Sequence, residues 1–160
     1  MELDKRDRQL IGLLQENGRA QLTDLAKALG LSIDSTHKRL KKLIANKAIF
    51  IKALVYPKAI GYDLIANVQI KLNNISEEEL TKFIAYLKSH PNVIELLSIL
   101  GDYDITCVFI AKNTEELETT YREVRYKFKS LIADWRSVIN LKLHKFEEYD
   151  LEGLFKEKPK

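Results

Sequence analysis

Between residues 32 and 42 the chain places Ser32, Asp34, Ser35, His37, Lys38, Arg39, Lys41 and Lys42. Short hydrogen-bonding side chains come first and cations follow. Hydroxyl and imidazole groups can meet base edges in the major groove of DNA, while lysine and arginine can neutralise phosphates and release their counterions. Ser35 and His37 are placed for bases, and Lys38, Lys41 and Lys42 are better placed for phosphates. Ser32, Asp34 and Arg39 belong to the same candidate surface. The competing reading is a solvated helix face whose lysines serve solubility. A short helix and a tight turn just before this run weigh towards DNA.

Other chemistry finds little support. His37, His90 and His144 are scattered, and no His/Cys/Asp/Glu group has metal-ligand spacing. The chain has no Gly-rich phosphate loop and no G-x-S-x-G elbow. Glu77, Glu78 and Glu79 suit the first turn of a helix, where they complement its dipole. Cys107 and Trp135 read as core residues. The expectation is a protein that is not an enzyme and carries neither metal nor cofactor. A single cysteine, a charged N-terminus and no apolar run near the ~20 residues of a membrane span point to the cytoplasm and away from membranes.

Charge is unevenly spread. Residues 1–52 hold eleven Lys and Arg against six Asp and Glu, whereas the remainder holds fifteen against seventeen. A basic front and a faintly acidic back suit a front that faces a polyanion.

The elements that position the run can be read locally. Asp4 is a natural N-cap, with Asp7 in the first turn, and Leu10, Ile11, Leu13 and Leu14 form an apolar stripe at helical spacing up to Gly18. A shorter helix spans Leu22 to Leu29 and stops at Gly30. Ser32 then caps a third helix with Ile33, Thr36, Leu40, Leu43 and Ile44 inside. Only Gly30, Leu31 and Ser32 separate the two helices, the length of a helix-turn-helix connection. Ile49, Phe50, Ile51, Leu54 and Val55, closed by Pro57, favour a strand that would be the wing of a winged helix.

Beyond Pro57 the pattern alternates. Strands are expected over residues 64–72, 93–100, 105–111 and 135–146, with helices capped by Ser76 and Thr114. The order β-α-β-β-α-β is the split ferredoxin-like arrangement. Two helices cover one sheet face, and self-association is the economical way to cover the other. The fold class is therefore α+β: a winged helix-turn-helix (residues 1–52), a linker strand and hinge (53–62), a βαββαβ domain for dimerisation and effector binding (63–148), and a C-terminal tail (149–160) expected to fray after Phe155.

Taken in order, these pieces resemble the Lrp/AsnC family of bacterial and archaeal regulators. The resembling segments are Leu3-Asp4-x-x-Asp7-Arg8-x-Leu10-Ile11-x-Leu13-Leu14, Asn17-Gly18-Arg19, Leu22-Thr23-Asp24-Leu25-Ala26, Gly30-Leu31-Ser32 and Arg39-Leu40-Lys41-Lys42-Leu43. Tyr56-Pro57, Ile60-Gly61-Tyr62 and the turn Gly101-Asp102-Tyr103-Asp104 continue the match, which covers about residues 3–146. The resemblance implies a sequence-specific regulator of transcription that binds double-stranded DNA as a dimer, often assembled further into tetramers or octamers. It also implies an amino acid or related effector held at Gly101, Asp102, Tyr103 and Asp104. Where the family's last strand offers threonines, this chain has only Ser137 and Asn140, and Leu100 replaces a small or hydroxyl residue before the glycine. Two alternatives share the architecture: a sirohaem-decarboxylase-like enzyme of tetrapyrrole synthesis, and a low-specificity protein that coats DNA. The intact Gly-x-Tyr-Asp turn and basic third helix weigh against the enzyme.

Overall fold

The computed structural model describes residues 2–73 and 76–156. They form two compact units, one made of residues up to 54 together with those from 144 onward, the other of residues 55–143.

The first unit contains α1 (Lys5–Glu16), α2 (Leu22–Leu29) and α3 (Ile33–Ala45). Asp4 caps α1 by accepting the Asp7 N–H at 2.8 Å, and the Asp7 carboxylate in turn accepts the Asp4 N–H. Leu10, Ile11, Leu25, Leu29 and Leu43 close a small core. Thr36 is also fully buried, its hydroxyl satisfied by the Ser32 carbonyl at 3.0 Å. Ile33 and Ile44, expected inside, are 51% and 46% exposed. At about 100° per residue the line through Thr36, Leu40 and Leu43 leaves both isoleucines at the margins of the buried arc.

The wing strand expected over residues 49–56 does not form. A strand needs a partner for its N–H and C=O groups, and the described residues offer none here. Phe50, Leu54, Val55 and Tyr56 stand exposed instead. The tail behaves unlike an appendage. Tyr149 exchanges two backbone bonds with the Gln15 side chain at 2.9 and 3.0 Å, Asp150 caps a short helix α6 (Leu151–Leu154), and Leu151 packs against the helical core. The tail beyond residue 156, which bears most of the expected fraying, lies outside the described residues.

The second unit holds β1 (Leu64–Leu72), α4 (Glu77–Ser89), β2 (Val93–Ser98), β3 (Ile105–Ala111), α5 (Thr114–Lys127) and β4 (Ile132–Ile139). The sheet order is β2-β3-β1-β4, antiparallel throughout. Ala66, Val68, Ile70, Ile105, Cys107 and Phe109 face Phe83, Leu87, Leu117 and Val124. The alternate residues of β1 and β3 point to the other face.

Three boundaries differ from expectation. β4 runs over Ile132–Ile139 rather than 135–146, because its partner β1 is used up once Asn140 N–H reaches the Ile65 carbonyl. β2 ends at Ser98, where Ile99 N–H turns back to the Asp104 carbonyl. Helix α5 is capped by Asn113 and not Thr114, the Asn113 side chain accepting the Glu116 N–H at 2.9 Å; asparagine is the stronger cap.

Candidate nucleic-acid interface and effector turn

The turn before α3 is built by a few residues. Gly30 ends α2 in the left-handed region at φ 63°, ψ 39°. Its N–H returns to Lys27 O and that of Leu31 to Ala26 O, so the last carbonyls of α2 are satisfied. Ser32 then accepts the Ser35 N–H at 3.1 Å and starts α3.

On α3 the residues Asp34, Ser35, His37, Lys38, Lys41 and Lys42 are all exposed, as is the cap Ser32. Asp34 and Lys38 pair at 2.7 Å across one turn, an exposed contact of small energy. Arg39 behaves differently. Its Nη1 donates to Asp4 Oδ2 at 2.6 Å and Asp7 Oδ1 at 2.7 Å, tying α3 to the start of α1. The Asp7 N–H, and after it the Arg39 guanidinium, hold the Asp4 carboxyl below the usual carboxylate range. Both carboxylates in turn raise Arg39 above its ordinary value. Arg39, grouped by sequence with the DNA contacts, is thus engaged inward.

In the second unit Gly101, Asp102, Tyr103 and Asp104 join β2 to β3. Asp104 ties the turn to β1: its N–H reaches the Ile70 carbonyl at 3.1 Å and one carboxylate oxygen accepts the Leu72 N–H at 2.7 Å. Tyr103 donates its hydroxyl to Asp134 Oδ2 at 2.9 Å, which lowers the Asp134 pKa and raises that of Tyr103. Leu100 is fully exposed beside the turn.

Ser137 and Asn140 do not join the turn within this chain. Ile105 lies beside Ile70, and Ile70 beside Trp135, so Asn140, just past the end of β4, stands five residues further along the chain. At ~3.3 Å per residue that is about 17 Å towards the other end of the sheet. Asn140 accepts from Asn67 Nδ2 at 2.7 Å, and Ser137 shares a 2.8 Å bond with the Tyr121 hydroxyl. Asp4, Asp7, Tyr121 and Asp134 were missed as partners of the candidate residues. Only the first two had a readable signal, an acidic pair three residues apart at a helix start.

Three helices with a glycine turn before a cation-bearing third, joined to a βαββαβ sheet unit, define a helix-turn-helix DNA-binding protein with a separate α/β regulatory domain. Residues 3–44 match the AsnC-type helix-turn-helix domain, and residues 65–147 the Lrp/AsnC ligand binding domain. The chain is 32% identical over 116 residues to the HTH-type transcriptional regulator FL11 of Pyrococcus horikoshii, covering 72% of this chain and 75% of that one. Its fold is similar to that of an AsnC family transcriptional regulator from Agrobacterium tumefaciens, with a TM-score of 0.84, 25% identity, and coverage of 95% of this chain and 99% of the other. A transcriptional regulator of Neisseria meningitidis, solved in complex with L-Met, shares the fold with a TM-score of 0.84 at 22% identity, covering 96% of this chain and 99% of that one. The chain belongs to the Lrp/AsnC family of transcription regulators, which join a DNA-binding helix-turn-helix to a ligand-binding domain.

Proposed function

We propose that this regulator works in the cytoplasm as a dimer that lays two α3 helices on DNA. Ser35 and His37 read bases, while Lys38, Lys41 and Lys42 hold phosphates. The observation that carries this reading is that all five side chains are exposed on one helix whose other side is fixed by buried Thr36 and Leu43. Dimerisation is supported by the sheet face opposite α4 and α5, together with exposed Leu97, Val138, Leu54 and Val55. Two half-sites would then lie about one helical turn, roughly 34–36 Å, or a multiple of it, apart.

An amino-acid effector at Gly101–Asp104 is the second part of the reading. Its support is the L-Met complex of the Neisseria relative in fold. Since Asn140 sits towards the other end of the sheet from the turn, an effector that uses both takes them from different subunits.

Selection of bound fragments from random DNA, with and without amino acids, tests the whole. Lys41→Ala should weaken binding to all sequences alike and reduce the salt slope by about one. Ser35→Ala or His37→Ala should cost about 1–3 kcal/mol at the preferred sequence. Unchanged sequence preference in both of the latter would mean that another face reads the DNA. A sedimentation mass of one chain at micromolar concentration would remove the dimer.

A further inference from the structure

The sheet unit carries a cleft that none of these assignments uses. It is an open groove between α5 and β4 with a volume of about 560 Å³. Arg122, Arg125 and Lys129 line it from the helix side, Asp134 and Trp135 from the strand side. Arg122 and Arg125 are three residues apart on one face of α5, and Lys129 follows in the turn just past the end of the helix.

Charge in the cleft is unbalanced. Glu118, the carboxylate on the helix side, is held by Arg122 at 2.9 Å. Asp134 already accepts the Tyr103 hydroxyl at 2.9 Å and the Trp135 N–H at 2.8 Å. Arg125 and Lys129 make no ion pair among the described residues. Glu118 is thus offset by Arg122, and Arg125 lies near enough to Asp134 to help lower its pKa, which leaves the cleft with one more cation than carboxylates.

Between the charged groups the lining is aromatic. Tyr121 and Trp135 meet edge to face with ring centroids 5.1 Å apart, and Phe109 backs Trp135 at 5.9 Å, so the indole is fixed in place. Its Nε1 is buried without an acceptor among the described residues. One cation of the cleft, Lys129, stands over an aromatic face, its Nζ 5.7 Å from the Tyr126 ring centroid, and rings beside cations suit a planar body with a charged end.

We infer that this cleft binds a small molecule with a flat apolar body and net negative charge, carried by a carboxylate or a phosphate, in preference to a zwitterionic amino acid. The site goes beyond the one proposed at Gly101–Asp104 and stands whether or not that one exists. Asp134 connects them, because it forms part of the cleft and also accepts the Tyr103 hydroxyl of the turn.

Trp135 is the only tryptophan of the chain, so its emission reports on the cleft directly. The full-length protein is titrated with 3-phenylpropionate, phenylalanine and phenethylamine, which share one ring and differ in charge. AMP serves as the phosphate-bearing probe. We expect a saturable change with 3-phenylpropionate or AMP, the responding anion identifying carboxylate or phosphate. Phenylalanine should bind at least about tenfold more weakly and phenethylamine not at all. Arg125→Gln and Lys129→Gln, both at exposed positions, should each weaken the anion about tenfold, as the loss of a charge-assisted hydrogen bond would. Asp104→Ala should leave this binding intact while abolishing any amino-acid stabilisation at the turn, which separates the two readings. No saturable response to either anion, an equal response to phenylalanine, or indifference to both cation variants would overturn the inference.

Discussion

Replacing Arg39 by alanine decides whether this residue belongs to the fold or to the DNA surface. Its Nη1 lies 2.6 Å from Asp4 Oδ2 and 2.7 Å from Asp7 Oδ1, and the two contacts differ in worth. The Asp4 side chain is 52% exposed, so that pair contributes less than about 1 kcal/mol. The Asp7 side chain is 4% exposed. Without Arg39 it retains one bond, from the Asp4 N–H at 3.3 Å. Stripping a partner from a fully buried charge costs about 3–5 kcal/mol. Arg39 is itself 30% exposed, so water reaches part of the gap and the loss falls to about 2–3 kcal/mol.

Circular dichroism during thermal or urea unfolding reads the effect. A loss of that size should lower the transition of the helical unit by roughly 10–20 °C. In a cycle with Asp7→Ala, the double variant should be less destabilised than the two singles together by about 1–2 kcal/mol. The Asp4 cap should persist in Arg39→Ala, since its bond from the Asp7 N–H uses the other carboxylate oxygen. A variant that loses less than ~0.5 kcal/mol, yet binds all DNA sequences more weakly with a salt slope lower by about one, would refute the reasoning. Arg39 would then be a phosphate contact after all.

Further outcomes follow from other sites. Burial pushes the Cys107 thiol up to about 12, so it should resist thiol reagents in the folded protein at mildly alkaline pH and react once when unfolded. Burial lowers His90, so its stabilising neutral state is fully present above the ordinary imidazole range and is lost as pH falls through the depressed value; urea titrations across that range should show this loss, and His90→Phe should flatten it. Gly30→Ala meets no atom but must adopt φ +63°, and should cost about 1–2 kcal/mol of unfolding free energy in the helical unit. Leu151→Ala removes a partly buried contact to the helical core, and a loss of about 1–2 kcal/mol confined to the helical transition would show that the tail is part of that unit.

What was legible in the sequence was what is local. The caps Asp4, Ser32 and Ser76, the stop at Gly30 and the alternation along β1 each depend on residues within one turn or one strand, and each is where the pattern put it. The errors sit where a distant partner decides. The apolar run at residues 49–56 has strand composition but no ladder partner among the described residues. β4 stops where its antiparallel partner β1 begins, a limit set about 70 residues earlier in the chain. The tail's place depends on Gln15 meeting Tyr149, 134 positions away, which no periodicity could announce.

The candidate sites divide along the same line, and Arg39 shows how. By charge it groups with Lys38, Lys41 and Lys42, and composition alone would send all four to phosphate. By helical spacing it sits three residues after buried Thr36 and four before buried Leu43, on the margin of the inner face. An arginine there has a stem long enough to lie along the core and a head that must find acceptors near the neighbouring helix start. Two carboxylates at an N-terminus, Asp4 and Asp7, were the available ones. Charge type selects what a residue can bind, and helical phase selects what it can reach; where the two disagree, as at residue 39, phase decides. The same rule explains the turn. Asp104 has the chemistry to hold an ammonium group, but the position that follows β2 and faces the end of β1 puts one of its oxygens on the Leu72 N–H first. Any ligand there must share the Asp104 carboxylate with the end of β1 that it already holds.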